Sequence, residues 1–454
     1  MQATFKLLGY SGFGVALVAA LTISSSLTHA QSTVPGPVTF TKDVAPILQA
    51  KCQECHRAGS MAPMSLITYE EVRPWARAIR ERVSARQMPP WHIDRNVGVQ
   101  KFKNDMSLSD QQLETIVRWV DAGSPMGDPK DMPAPRKWPA DNEWRGAAEL
   151  GPPDLVITSA PYTMAAHHQD AWFRPVNEVP ITEPRWVRAI EMRPSSILGR
   201  KIIHHSVAYL EQDDKDPLAV PPGTPDFGGV ERRGMLMEWA IGKGYDFYRP
   251  NTGKLLLPGA KIWWDEHIHA VGEEITTSVQ LGIWFYPKDQ TPKYRTYLTA
   301  FSALRGGARI DLPPNSLVEN EGFTVLKQAA RLENFQPHMH LRGKAMELEA
   351  ILPDGTREVV ARVSNFNFNW MTNYIFDDDA APVFPKGTII HATAWHDNTK
   401  ANKNNPDPDQ WVGYGDRTVD EMAHEWVNVT YISDEDYAEW AAKHRPVRTT
   451  QNQQ

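Results

Sequence analysis

From Leu155 onward, helix-period patterns fade from this 454-residue chain. Short runs such as WVRAIEM, IIHHSVAYL, TSVQLGIWFY, MELEAIL, REVVARV, GTIIHATAW and EWVNVTYI alternate instead with Pro, Gly, Asn and Asp turns. This patterning predicts an all-β region, and its length predicts two packed sandwiches or jelly rolls with a break near Gly306 to Ser316. No short-period repeat accompanies it.

Upstream the signals are helical. Val44, Ile47 and Leu48 recur at helical spacing, and Thr68 with Glu71 forms a capping box ahead of Trp75, Ile79 and Val83. Ser109 with Gln112 forms another ahead of Leu113, Ile116, Val117 and Val120, with Gly123 as the stop. Between Ser124 and Asp154 the chain is dense in proline and reads as a semi-rigid interdomain segment. The expected organisation is therefore multidomain: 1–30 an export signal, 31–125 a small all-α domain, 126–154 a linker, and β-sandwiches over 155–310 and 311–454.

The first thirty residues carry a lysine, an apolar run from Val15 to Ile23, and the small residues Thr28 and Ala30 around a cleavage point. They predict an export signal, a mature chain beginning near Gln31 that is periplasmic or secreted, and no stable membrane span after cleavage, with an uncleaved membrane anchor as the alternative. The two cysteines of the chain, Cys52 and Cys55, stand in CQECH. They lie too close together to staple a fold, and further cysteines for a zinc site are absent. C-x-x-C followed by histidine is the attachment pattern of one covalent haem c, with His56 on one axial iron position. Met88, in RQMPPWH, is the best-placed sixth ligand because two prolines stiffen its loop; Met61, Met64, Met106 and His92 are its rivals. Three helices around a haem make a small cytochrome, and the helix, MPPW and terminal-helix order closely resembles class I cytochrome c domains.

The formal net charge is −7 and the pI about 6.1, so the chain presents no basic field for nucleic acid. Fifteen histidines would give roughly one HH or HxH pattern by chance. Four occur: His167-His168, His204-His205, His267-x-His269 and His338-x-His340. His167-His168 has loop character and is assigned no role. Side chains two apart on a strand share a face, so each HxH pair could reach one ion. Adjacent His204 and His205 could share an ion only where a bulge re-aims one of them. Imidazoles without thiolate suit copper or zinc, and a methionine thioether tilts the choice to copper.

The order of these motifs resembles the copper type II ascorbate-dependent monooxygenases, the family of peptidylglycine α-hydroxylating and dopamine β-monooxygenases. It runs HH at 204 and 205, HIHAVG before SVQLGIWF, PHMHLRGK, then DEM before an aromatic strand, over about Asp154 to Ser433. The resemblance implies two antiparallel jelly-roll sandwiches with one copper on each, facing across a solvent cleft. His204, His205 and one of His269 and His267, with His269 favoured, would hold an electron-transfer copper. His338, His340 and Met422 would hold an oxygen-binding copper and carry catalysis. It also implies a small organic substrate and O2, hydroxylation of a carbon-hydrogen bond, and an external electron donor working through the fused haem. The alternative is a non-hydroxylating haem and copper electron-transfer protein. The chain departs from the animal members in having no cysteine left for disulfides, and where they can carry a glutamine it has His267. No glycine-rich phosphate loop follows a strand, so neither NAD nor flavin is expected.

Overall fold

The computed structural model describes residues 36–58, 60, 62–138, 143–216, 218, 234–240, 243–304 and 309–444. The expected export signal, Met61 and part of the expected break near Gly306 lie outside the described residues. No helix among the described residues is long and apolar enough to cross a membrane.

The chain is mostly β, with helices gathered near its start. Both capping boxes form: Glu71 N–H donates to Thr68 Oγ1 and Thr68 N–H to Glu71 Oε2, and Ser109 and Gln112 exchange the same pair. These satisfy N–H groups that the first helical turn leaves orphaned. The helices Ala45–Lys51, Ala76–Ser84 and Asp110–Asp121 pack around Phe40, Val44, Leu48, Ile79, Val83, Ile116 and Trp119. Trp75 departs from the expected face: it is 45% exposed and lines a cavity described below.

All seven runs named above fall in strands, from Arg185–Pro194 to His424–Tyr431. The expected division between 310 and 311 is nevertheless crossed by a sheet. Strand Tyr294–Ser302 pairs antiparallel with His424–Tyr431 in continuous register, from Thr296 opposite Thr430 to Ser302 opposite His424. One 16-stranded sheet therefore runs through both halves, while a separate four-stranded sheet holds 317–325, 389–397, 343–351 and 357–363. The described residues from Val38 onward form one compact unit.

Two glycines mark where the segments outside the β region dock onto it. Gly98 has φ +65, and a Cβ there would lie 2.2 Å from the Val360 carbonyl oxygen, so the backbone can approach and Val99 N–H donates to that oxygen. Gly282 leaves room for Trp144, whose ring would lie 2.8 Å from an added Cβ. The proline-rich segment thus ends packed on the sheet, with Gly146 N–H donating to Glu191 and Arg193 stacked 3.9 Å over Trp144.

Candidate functional site

CQECH begins as the helix Ala45–Lys51 ends, and His56 N–H closes a last turn on the Cys52 carbonyl. The His56 ring donates from Nδ1 to the Met64 carbonyl at 3.2 Å, which leaves Nε2 as the free lone pair. Burial holds the Cys52 thiol up at about 12 and raises Cys55, so both are neutral thiols that form no disulfide. Cys52, Cys55 and His56 line a cavity of about 1930 Å³, together with Met88, Met64, Met106 and His92. Space, free thiols and an oriented imidazole fit a covalently attached porphyrin. Met88 shares the cavity with its described rivals, so the geometry keeps all of them within the candidate ligand set.

The same cavity continues to His204, His267 and His269. His204 and His205 open the strand Ile203–Glu211, which pairs with Lys261–Ile268 so that His267 faces His205 and Ile268 faces Ile203. The register skips His204: a β-bulge sits where one was required to bring adjacent histidines together. Ligand atoms of His204, His205 and His267 consequently lie within 4.8 Å of one another. His269 stands just past the strand end, its ring 6.2 Å from that of His204. The third member of this group is thus His267, with His269 beside it on the cavity wall.

His267 is oriented from both sides. Its Nε2 donates to Asp170 at 3.0 Å, its Nδ1 faces His205 Nε2 at 3.3 Å, and Trp172 stacks on its ring at 4.5 Å. Asp170 also accepts from Thr418, and its bond to His267 is the first reason its carboxyl lies low, at about 2. His167 and His168 are exposed and remain without a role, yet Asp170 lies two residues beyond them.

His338 ends the strand Asn334–His338 opposite His424 on the neighbouring strand. The PHMHLR backbone is held by Glu421, whose carboxyl oxygens accept from His340 N–H at 2.9 Å and Arg342 N–H at 2.6 Å, while burial raises that carboxyl to about 8. Arg342 is itself fully buried against Asn398 and the Val419 carbonyl. His340 donates from Nδ1 to the Asp420 carbonyl, again leaving Nε2 free.

These two histidine groups do not face each other across an open cleft. The rings of His205 and His338 are 5.1 Å apart, and Phe368 stacks on His204 at 4.6 Å while lying 6.2 Å from His340. Met422 is half-buried, with its backbone carbonyl 3.2 Å from His396 Nε2. The thioether against His338 belongs to Met371, whose Sδ is 2.9 Å from His338 Nδ1. Sequence reasoning missed Asp170, Phe368 and Met371, which lie outside any histidine motif. It noted Glu421 only as an acid before Met422.

His204 Nδ1, His205 Nδ1, His338 Nε2 and His340 Nε2 are buried without a hydrogen-bond partner. A buried polar atom left this way carries a desolvation cost of about 1–3 kcal/mol. Burial also keeps the rings neutral: His204 is lowered to about 3 and His340 to about 4, while His205 and His338 lie well below the ordinary value. Neutral imidazoles with unshared lone pairs in one small volume form a donor set for a soft or borderline metal ion.

No protein-family model matches this sequence, and no curated protein matches it. Among solved structures, the empty top-component particle of cowpea mosaic virus aligns over 60% of this chain and 92% of its own, at 6% identity and a TM-score of 0.27. The VP2 subviral particle of infectious bursal disease virus aligns over 66% and 75%, at 11% identity and a TM-score of 0.18. A fucolectin from striped bass serum aligns over 60% and 86%, at 8% identity and a TM-score of 0.17.

Proposed function

We propose that this chain is an exported copper monooxygenase with a built-in haem c, of the copper type II ascorbate-dependent kind, acting on a small organic substrate. The observation that carries the reading is the set of four buried, partnerless imidazole nitrogens from two sheet regions, beside a cavity that also reaches CQECH. His204, His205 and His267 would hold one copper, and His338, His340 and Met422 the other. Cys52, Cys55 and His56 would hold the haem, with Met88 as the axial thioether. When bound, the coppers would supply reductive activation of O2 and the haem a relay for electrons from an external donor.

The chain's own residues perform the rest. Asp170 and Glu421 fix the ring of His267 and the backbone of His340. Phe368, stacked on His204, would supply apolar surface for a small organic molecule where the cavity meets the histidines. In this reading residues 31–125 form a cytochrome c domain and the β region derives from jelly-roll sandwiches fused by a shared sheet.

The test supplies isotopically labelled O2 to copper-loaded holoprotein over a panel of small aromatic and aliphatic molecules. His340→Ala and Met422→Ala are expected to abolish label incorporation while the haem spectrum stays unchanged. Full retention of turnover in both variants would refute the reading. Haem and copper reduction without oxygen incorporation into any candidate would favour a pure electron-transfer protein. Metal analysis should return about two copper ions per chain.

A further inference from the structure

The loop 364–373 carries no histidine, yet it touches both histidine groups. Phe368 lies on His204, and Met371, 2% exposed, places its sulfur against His338 Nδ1. The loop is held from the helical side: Thr372 donates to the Pro90 carbonyl at 3.1 Å, two residues after Met88, and Ser364 N–H donates to Asp94 at 2.9 Å. Its end is fixed by Asn104 Nδ2 on the Asn373 carbonyl at 2.7 Å. Met371 is therefore positioned by contacts on both sides rather than resting as loose filler.

We propose that Met371 is the positioning residue of His338, its thioether accepting the Nδ1 proton of that ring. That bond would select the tautomer in which His338 Nε2, the buried atom without a partner, carries the lone pair offered to metal. A ring that instead carried its proton on Nε2 would present no ligand atom at all on that side. Ligand-bearing imidazoles usually donate to a carboxylate, carbonyl or water. A thioether is a weaker acceptor, so it fixes the ring's tautomer while adding little electron density to it, which suits a site that must hold Cu(I).

The inference rests on the copper reading above. The full chain is loaded with Cu(I) and titrated with a competing chelator, and sulfur ligation is read from copper X-ray absorption. Met371→Leu is expected to weaken copper retention roughly 10- to 100-fold while the copper-sulfur signal, supplied by Met422, persists. Met371→Gln, whose side-chain carbonyl can accept the same proton, is expected to hold copper as the parent does. Loss of the sulfur signal in Met371→Leu would make Met371 a ligand and overturn the proposal. Equal weakening in both variants would assign the effect to packing, and unchanged affinity in both would show that the bond is idle; either overturns it. A parent chain that binds no copper would instead sink the copper reading itself.

Discussion

Asp170 shows how much one side chain outside the histidine motifs contributes. It accepts from His267 and Thr418 and lies between the strand that carries His267 and the segment preceding Met422. On the proposed copper reading, Asp170→Ala should remove the bond at His267 Nε2 and lower copper affinity roughly 10- to 100-fold, measured by chelator competition, with folding retained. The buried imidazoles also set an acid limit. His340, His396 and His424 are lowered from 6.5 to about 4, first by burial, so the unfolded chain takes up protons there before the folded chain does. Each then contributes stability that is complete above pH 6.5 and is lost as the pH falls toward 4, at about 1.4 kcal/mol per unit. Thermal melting of metal-free protein should therefore fall steeply between these values. A flat profile would contradict the neutral, buried state of the rings.

At the scale of elements, the strands were legible because each run is short and bounded by Pro, Gly, Asn and Asp turns, and both capping boxes formed as their spacing demands. REVVARV coincides with the strand Arg357–Val363. Less legible was the docking of the segment 91–104 onto 360–376. There Val99 meets the Val360 carbonyl, and Trp91 and Phe102 meet Tyr374 at ring distances of 4.7 and 6.0 Å. Nothing in the local pattern of either segment names its partner. Gly98→Ala tests this contact, because the added Cβ meets a backbone oxygen and φ is +65. It should destabilise the chain by about 1–3 kcal/mol, read from denaturant unfolding. Gly355→Ala, with φ +83 but open space around it, serves as the control for backbone strain alone.

At the scale of the molecule, the helical segment, the proline-rich segment and the β region are tied into one unit. Lys101 and Lys103 pair with Asp379 and Asp378, while Arg145 pairs with Glu54. An isolated 36–125 fragment would leave Trp91 and Phe102 without Tyr374 and Phe376. Such a fragment is expected to aggregate or to bind an apolar dye, whereas the full chain does neither. A fragment that stays monomeric and melts as the full chain does would show that this contact is dispensable.

By itself the sequence determined the strand-rich composition and the capped helices, and it singled out CQECH and the HH and HxH pairs. Each of these depends on neighbours within a few residues, where periodicity and spacing act. Only the tertiary structure decided that His267 rather than His269 joins His204 and His205, that His205 stands beside His338, and that the sulfur against His338 is that of Met371. The choice of His267 turns on a single skipped residue in a strand register, and the other two on the sheet and loop that bring both halves together. Contacts between segments so distant in sequence are set by packing of the whole chain, and no local pattern encodes them.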